Sequence, residues 1–203
     1  MKKSQILCHR GLHLGTQHLQ NTRSACLHAF NKGFGVEIDI RANSKGKLVL
    51  GHDKAQLTQL SGVLSIANSK QMALHIKEKG LCQKLYELLT KYPDKDYFIF
   101  GVLPEEWDEY VETFGADKIA FELDSGDGVE KFEQALNGEH SIIWLSELEG
   151  TFPDMKFCLL NNNGRKIYLV TKECYSNSSP YTPVFDFVDA ICTDKPLTIM
   201  KND

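Results

Sequence analysis

Short apolar runs recur along the whole chain, and segments with helical spacing separate most of them. Eight of these runs are predicted to be β-strands: 5–8, 36–40, 72–77, 97–101, 118–123, 141–145, 166–170 and 189–193. The predicted helices often have proline near the start or glycine just past the end, as helix termini commonly do. They span 22–32, 81–92, 104–114, 128–136, 153–163 and 182–187, while 54–70 fits either a helix or a loop.

The regular alternation of strand and helix predicts an α/β fold built on a parallel sheet. Eight such units fit a compact (β/α)8 TIM barrel, at the short end of the length range of that fold. A doubly wound open parallel sheet is the alternative, because periodicity does not reveal whether a sheet closes. With no internal repeat or linker, residues 1–203 are expected to form a single domain.

One segment, from Val36 to Asp53, combines a strand with a hairpin. Apolar and polar residues alternate in its first half, so Glu37 and Asp39 share one face of the strand. A polar turn, a second apolar run and then His52 follow. Taken alone, the segment fits either a half-exposed strand with solvated acids or a metal site with a proton-transfer group beside it.

Polar side chains also fall late in several other strands, although strands of a parallel sheet are buried on both faces. Each of these groups alone fits a satisfied core residue or a rim charge. Together they lie at the C-terminal ends of successive strands, which is where a β/α barrel carries its active site. The residues are His9 and Arg10, Glu37 and Asp39, His75 and Lys77, Glu122 and Asp124, and Asp194.

The composition narrows the class of protein without naming a function. A net charge of −4 with no basic cluster argues against a nucleic-acid partner. No apolar stretch is long enough for a membrane span, and the N-terminus does not resemble a signal peptide, so stable membrane insertion is not expected. The six cysteines form no CxxC pair and are read as reduced, mostly buried thiols. A cytoplasmic protein is therefore expected.

The first 53 residues carry four motifs in a characteristic order: His9-Arg10-Gly11, then Asn21-Thr22, then Glu37-Ile38-Asp39, and then His52-Asp53. In this order and spacing the chain resembles the glycerophosphodiester phosphodiesterase family, a metal-dependent branch of the β/α-barrel phosphodiesterases. A looser resemblance extends over the rest of the chain, including the final segment CTDKP.

The resemblance implies a role for each motif residue. Glu37 and Asp39 would bind a divalent cation, with Mg²⁺ or Ca²⁺ expected for oxygen ligands. His9 and His52 would be the acid and base, because imidazole both accepts and donates protons near neutral pH. Arg10 would bind the phosphate through its planar fork of donors, and Lys77 would act as a point charge on the same phosphate.

Two positions depart from the family pattern. His75 stands where the family usually has a third metal-binding glutamate, which opens the site to Mn²⁺ or Zn²⁺ if the imidazole is a ligand. Glu122 or Asp124 could supply the missing carboxylate instead. Gln20 replaces the family's glutamate before Asn21, which would alter the support around His9.

Two further side chains are considered without a motif to support them. Trp144 is expected to pack in the core, with lining of the pocket as the alternative. His13 lies in the first loop, where an imidazole near a phosphate site is plausible, but no motif includes it.

The predicted function is metal-dependent hydrolysis of a small phosphodiester, such as a glycerophosphodiester or a glycosyl-linked phosphate, with a role in lipid metabolism. A catalytically retired barrel that binds a phosphorylated ligand or a partner protein is the alternative, motivated by His75 and Gln20. A lyase that forms a cyclic phosphate is a third reading on the same fold.

Overall fold

The computed structural model describes residues 6–124, 127–147, 164–171 and 188–199. Within them the strands are β1 Ile6–His9, β2 Gly35–Ala42, β3 Leu48–Leu50, β4 Met72–Ile76, β5 Tyr97–Phe100, β6 Ala120–Asp124, β7 Ile142–Glu147, β8 Lys166–Thr171 and β9 Ala190–Thr193. The helices are α1 Arg23–Asn31, α2 Leu60–Leu64, α3 Cys82–Leu89, α4 Trp107–Phe114, α5 Val129–Asn137 and α6 Pro196–Ile199. Short 3-10 turns span Gln17–Leu19, Pro104–Glu106 and Ala116–Lys118.

Eight of these strands run parallel around a barrel in the order β5-β4-β2-β1-β9-β8-β7-β6. A parallel bridge between Ile99 and Ile119 joins β5 to the start of β6 and closes the ring. The predicted (β/α)8 barrel is therefore confirmed, and the open doubly wound sheet is wrong. The short strand β3 pairs antiparallel with β2, which is the hairpin that delivers His52. The assignment of the whole chain to one domain stays a prediction.

The predicted helices agree with the structure wherever it describes them. The helix predicted at 22–32 is α1, whose extended cap residue Thr22 accepts a hydrogen bond from the backbone of Ala25. The ambiguous stretch 54–70 contains only the short helix α2. The helices predicted at 153–163 and 182–187 lie outside the described residues.

The strand register brings polar groups from different strands to one level of the barrel. His9 pairs with Glu37 between β1 and β2, and Asp39 pairs with His75 between β2 and β4. His75 in turn pairs with Phe100 on β5. Because side chains alternate across a strand, all five residues point to the same face. Below them the same face is apolar, with a cluster that includes Leu7, Ala73, Phe98, Ala120, Ile142, Tyr168 and Ala190.

Gly11 allows the first helix to pack directly behind the end of β1. Its φ of 83° lies in the region that favours glycine, and a Cβ there would lie 2.9 Å from the backbone carbon of Ala25 in α1. The glycine of the first motif is therefore a packing requirement that fixes the loop containing His9 and Arg10.

Four cysteines, Cys8, Cys26, Cys82 and Cys192, are buried, and the first three are free thiols. This agrees with the expected buried thiols, whereas Cys158 and Cys174 lie outside the described residues. Among the helices that the structure describes, none has the length and apolar character needed to cross a membrane.

Candidate active site

A cavity of about 330 Å³ opens at the C-terminal ends of the strands. It receives four residues of the motifs described above, together with His75, Glu122 and Asp194 from other strand ends. Its lining consists of His9, Arg10, Glu37, His52, His75, Phe100, Glu122, Trp144, Ser146, Val170 and Asp194. Side chains from both ends of the chain thus meet at one end of the barrel, since His9 and Asp194 lie 185 positions apart in the sequence.

Glu37, Asp39 and His75 form a compact group, of which Glu37 and His75 line this cavity and Asp39 is fully buried beside them. Each offers one potential ligand atom, and these atoms all lie within 4.8 Å of one another. Nδ1 of His75 lies 3.2 Å from Oδ1 of Asp39 and 3.6 Å from Oε1 of Glu37. Both carboxylates are almost completely buried. Two acids at this separation need a positive charge between or beside them.

His75 is held in place from two directions. Its ring stacks on Phe100 with the ring centroids 4.3 Å apart. Gly101, with a φ of 71°, makes room for it, since a Cβ at this position would lie 2.8 Å from Nε2 of His75. On the remaining side Nζ of Lys77 lies 3.5 Å from Nε2.

The acids determine the charge of this imidazole. Burial by itself lowers the pKa of His75, but the adjacent carboxylates of Asp39 and Glu37 outweigh burial and raise it to about 9. In the absence of a metal His75 is therefore an imidazolium at neutral pH, and it supplies one positive charge to the two acids.

Asn21 and Arg10 fix the Asp39 carboxylate. The side chain of Asn21 donates to Oδ2 of Asp39 at 2.8 Å and accepts from the Asp39 backbone at 3.0 Å. Nε of Arg10 lies 3.1 Å from the same Oδ2. Burial favours the neutral acid, but His75, Asn21 and Arg10 together hold the pKa of Asp39 well below its usual range. Asn21 belongs to the Asn21-Thr22 motif, but the sequence alone assigns no role to it.

The loop after β1 positions Arg10 through its backbone. Arg10 has a φ of 53°, which is unusual for a residue with a side chain, and its N–H donates to Oε2 of Glu37 at 3.1 Å. Its carbonyl accepts from the backbone N–H of Asn21. Gln20 accepts a hydrogen bond from Nη1 of Arg10 at 3.2 Å, so this substituted residue supports the arginine.

The group formed by Glu37, Asp39 and His75 fits a divalent cation. Two carboxylates and one imidazole are a common donor set for Mn²⁺ or Zn²⁺, and the carboxylates alone suit Mg²⁺ or Ca²⁺. Oδ1 of Asp39 is buried and makes no hydrogen bond of acceptable geometry with any residue that the structure describes. An orphaned carboxylate oxygen pointing at a second acid and an imidazole nitrogen is the arrangement that a metal ligand would show.

In both His9 and His52, Nδ1 lies within hydrogen-bond distance of a carboxylate. Nδ1 of His9 lies 2.8 Å from Oδ1 of Asp194, and Nδ1 of His52 lies 2.6 Å from Oδ1 of Asp53. The surroundings differ, because the side chain of Asp53 is 92% exposed and that of Asp194 is 27% exposed. Nε2 of His9 approaches Oε2 of Glu37 at 4.0 Å, next to the possible metal ligands.

Arg41 fixes the position of His52 from the neighbouring strand. Nε and Nη2 of Arg41 donate to the backbone carbonyl of His52 at 2.8 and 2.6 Å. Nη1 of the same guanidinium donates to Glu78 at 3.2 Å. The hairpin is thereby tied to β2 at the point where it presents the histidine.

The wall opposite the charged residues is largely apolar. Phe100 stacks on Trp144 with the centroids 4.1 Å apart, and Val170 lies beside them on the cavity wall. Trp144 thus both packs in the core and lines the cavity, which combines the two readings of this residue. Phe100 could not be singled out from the sequence, because an aromatic residue at the end of an apolar strand is most simply core.

Glu122 and Asp124 lie on β6, which is separated from β2 by β5 and β4. Glu122 lines the cavity but is not one of the three clustered ligand residues. Asp124 does not line the cavity and is not in the cluster. Nζ of Lys77 lies 3.5 Å from Nε2 of His75, and Lys77 is not among the residues that line the cavity. The roles of these residues stay predictions.

The barrel is similar to those of solved glycerophosphodiester phosphodiesterases. A provisionally assigned member from Galdieria sulphuraria superposes with a TM-score of 0.77 at 18% identity, with 98% of this chain and 96% of that chain covered. The enzyme from Agrobacterium tumefaciens gives a TM-score of 0.70 at 14% identity and full coverage of both chains. The family resemblance read from the motifs is therefore supported at the level of the fold.

The fold is also shared with a protein that is not named as a phosphodiesterase. A mutant tryptophan synthase α-subunit from Pyrococcus furiosus gives a TM-score of 0.61 at 13% identity, covering all of this chain and 91% of that chain. No protein-family model and no curated protein matches the sequence. At these identities the likeness establishes the barrel, and the chemistry has to be argued from the site.

Proposed function

We propose that this protein is a metal-dependent phosphodiesterase that hydrolyses a small phosphodiester, such as a glycerophosphodiester or a glycosyl-linked phosphate. One observation carries the proposal: Glu37 and His75, two of the three clustered ligand residues, line the same cavity as both predicted acid-base histidines. The names of the two phosphodiesterase structures with the same fold support the choice of reaction. A cytoplasmic location, in keeping with the buried free thiols, is part of the proposal.

Glu37, Asp39 and His75 would hold the divalent cation, and the cation would polarise the phosphate and offset its charge. Mg²⁺ or Ca²⁺ would rely on the two carboxylates, whereas Mn²⁺ or Zn²⁺ would also use the imidazole. Arg10 lines the cavity and would bind the non-bridging phosphate oxygens. Lys77, whose Nζ lies 3.5 Å from Nε2 of His75, would act as a positive point charge on the phosphate.

The two histidines would move the protons of the reaction. Because each has Nδ1 against a carboxylate, Nε2 is the nitrogen that would exchange a proton with the substrate. One would take a proton from the attacking water or hydroxyl, and the other would give a proton to the leaving alcohol. The products are then a phosphomonoester and an alcohol, or a cyclic phosphate if a substrate hydroxyl attacks first.

The test is turnover of bis(p-nitrophenyl) phosphate and of glycerophosphocholine by chelator-treated protein resupplied with Mg²⁺, Ca²⁺, Mn²⁺ or Zn²⁺. His9→Ala and His52→Ala are each expected to lower kcat by about 10²- to 10⁴-fold, the usual contribution of a positioned acid or base. His28→Ala is the matched control, because His28 is exposed on α1, outside the cavity lining. Phosphorus NMR of the products distinguishes hydrolysis from the cyclic route.

Equal activity in His52→Ala and the wild type would contradict the proposal, as would activity that is unaffected by chelation. Loss of activity in His28→Ala would show that the assay reports folding instead of the site.

A second candidate function rests on the charge of His75. Its imidazolium already lies 3.2 Å from Asp39 and 3.6 Å from Glu37, so the two acids are partly neutralised without a metal. In a catalytically retired barrel that binds a phosphorylated ligand, the imidazolium of His75 would neutralise the two acids in place of a metal ion. Calorimetric titration separates the two functions, since micromolar binding of any of the four cations favours the enzyme and absence of binding favours the retired barrel.

A further inference from the structure

We propose that His13 and Asp194 are positioning residues for His9, and that the three side chains form a hydrogen-bonded relay, His13–Asp194–His9, which holds His9 in the tautomer protonated at Nδ1. The proposal rests on the proposed function in that it assigns His9 the proton-transfer role. It adds two residues to which no role is otherwise assigned, and one of them, His13, belongs to no motif.

The geometry of the relay converges on a single oxygen atom. Oδ1 of Asp194 lies 2.8 Å from Nδ1 of His9 and 2.9 Å from Nε2 of His13. Both distances are those of strong hydrogen bonds to a charged acceptor. Burial alone would favour the neutral acid, but the bonds from His13 and His9 hold the pKa of Asp194 well below its usual range. A carboxylate can only accept, so both imidazoles must donate to it.

His13 is built into the fold, unlike an ordinary loop histidine. It is 3% exposed, although it lies in the connection between β1 and α1. The neighbouring backbone is fixed, since Leu12 donates to the carbonyl of Ala25 and Thr16 donates to that of His13. Nδ1 of His13 is buried without a hydrogen-bond partner among the described residues, so the contact of Nε2 with Asp194 is the one for which the side chain is positioned.

The relay determines which nitrogen of His9 can accept a proton. A neutral imidazole carries one proton, and donation from Nδ1 to Asp194 leaves Nε2 as the acceptor. Rotation of Asp194 would break this arrangement, and His13 restrains that rotation by occupying the same oxygen. The equivalent carboxylate of His52 belongs to Asp53, which is 92% exposed and contacts no second imidazole among the residues that the structure describes. The restraint is therefore specific to the His9 side of the cavity.

Three variants test the relay in the full chain. His13→Leu removes the donor to Asp194, whereas His13→Gln places an amide nitrogen near the position of Nε2. Asp194→Asn keeps the size of the side chain but can donate as well as accept, so it permits the wrong tautomer of His9. Asp108→Asn is the control, because Asp108 is exposed on α4.

Two readouts are taken in the presence of Mg²⁺: steady-state kinetics, and ¹⁵N NMR of histidine-labelled protein, which reports the tautomer of His9. We expect His13→Leu and Asp194→Asn to reduce kcat by about 10- to 100-fold with KM within threefold, and to shift His9 away from the Nδ1-protonated form. His13→Gln should recover most of kcat and the wild-type His9 signal, and Asp108→Asn should change neither. Thermal melting shows that each variant is folded.

The proposal is overturned if the His9 signal is the same in wild type, His13→Leu and Asp194→Asn, or if His13→Gln loses as much kcat as His13→Leu. If His13→Leu does not fold, Asp194→Asn decides the question by the same signal. A wild-type protein without turnover but with a His9 signal that depends on Asp194 would reject the proposed function and leave the relay intact. A wild-type protein with turnover, but with a His9 signal that does not change in Asp194→Asn, would keep the proposed function and reject the relay.

Discussion

The two walls of the cavity are built from equivalent positions of neighbouring strands, yet their chemistry differs. The wall from β1, β2 and β4 is charged and hydrogen-bonded, and the wall from β5, β7 and β8 is mainly aromatic and aliphatic. The residues concerned are His9, Glu37 and His75 on one side, with the buried Asp39 against His75, and Phe100, Trp144 and Val170 on the other. The two walls are not independent, because Phe100 of the apolar wall stacks on His75 of the charged wall.

His75 is the residue at which the two walls meet. Its Nδ1 faces Asp39 and Glu37, while its ring stacks on Phe100 and lies against Gly101. An imidazole can serve both walls, because it is flat enough to stack and carries nitrogen atoms at its edge. A glutamate at this position would serve only the charged wall. The departure from the family pattern is therefore coupled to the aromatic side of the cavity.

The largest effect is expected from His75→Glu, which makes this position wholly part of the charged wall. Three clustered carboxylates should bind Mg²⁺ and Ca²⁺ at least about tenfold more tightly and weaken the preference for Mn²⁺ or Zn²⁺. The metal-free protein should be less stable than the wild type, because three buried acids then lack the imidazolium. Calorimetry with each cation and thermal melting in chelator measure both effects.

His75→Gln is the matched control for that substitution. It removes the positive charge without adding a carboxylate, so it should lower the stability of the metal-free protein but not increase the affinity for Mg²⁺ or Ca²⁺. A His75→Glu protein that binds Mg²⁺ no better than the wild type would show that Glu37 and Asp39 are not metal ligands in this barrel.

A smaller effect is expected from pH in the absence of metal. The pKa of His75 is about 9 in the folded protein against an ordinary value of 6.5. Since the folded-state pKa is raised, the stabilisation is complete below about pH 6.5 and is lost as the pH rises through about 9. The shift corresponds to a contribution on the order of 3 kcal/mol to the free energy of unfolding.

Chemical denaturation in chelator at pH 6, 7.5 and 9.5 measures this loss. In His75→Gln the decline over this interval should disappear. Bound metal should also abolish it in the wild type, because a ligating imidazole is already deprotonated. A wild-type protein whose metal-free stability is unchanged from pH 6 to 9.5 would rule out the imidazolium between the two acids.

Much of this site could be predicted from local sequence patterns, because the i, i+2 spacing of Glu37 and Asp39 fixes a shared face whatever the fold. The barrel followed from the alternation of strands and helices, and the hairpin from the turn before His52. The contact of Asp39 with His75 could not be predicted, since it depends on the register between β2 and β4. Strand register is set by long-range pairing that no single stretch of sequence contains.

The same limit explains why His13 and Asp194 could not be connected. They are 181 positions apart, and they meet because β9 pairs with β1 and closes the barrel beside the first loop. Asp194 stood out as a polar residue after the last strand, whereas His13 carried no motif. A buried histidine in a loop can be recognised only when its burial is known.

The smallest effect that still tests the coupling of the two walls is expected from Gly101→Ala, compared with Gly80→Ala. The two glycines have φ values of 71° and 74°, so an alanine suffers similar backbone strain at either position, on the order of 1 kcal/mol. The difference lies in the space around them. A Cβ at Gly101 would contact the ring of His75, whereas a Cβ at Gly80 meets nothing within 4 Å.

Gly101→Ala should therefore displace His75 and weaken Mn²⁺ binding several-fold, while Gly80→Ala should lose stability without losing affinity. Calorimetric titration of both variants with Mn²⁺ measures the difference, and equal affinities would mean that the apolar wall does not position His75 for metal binding.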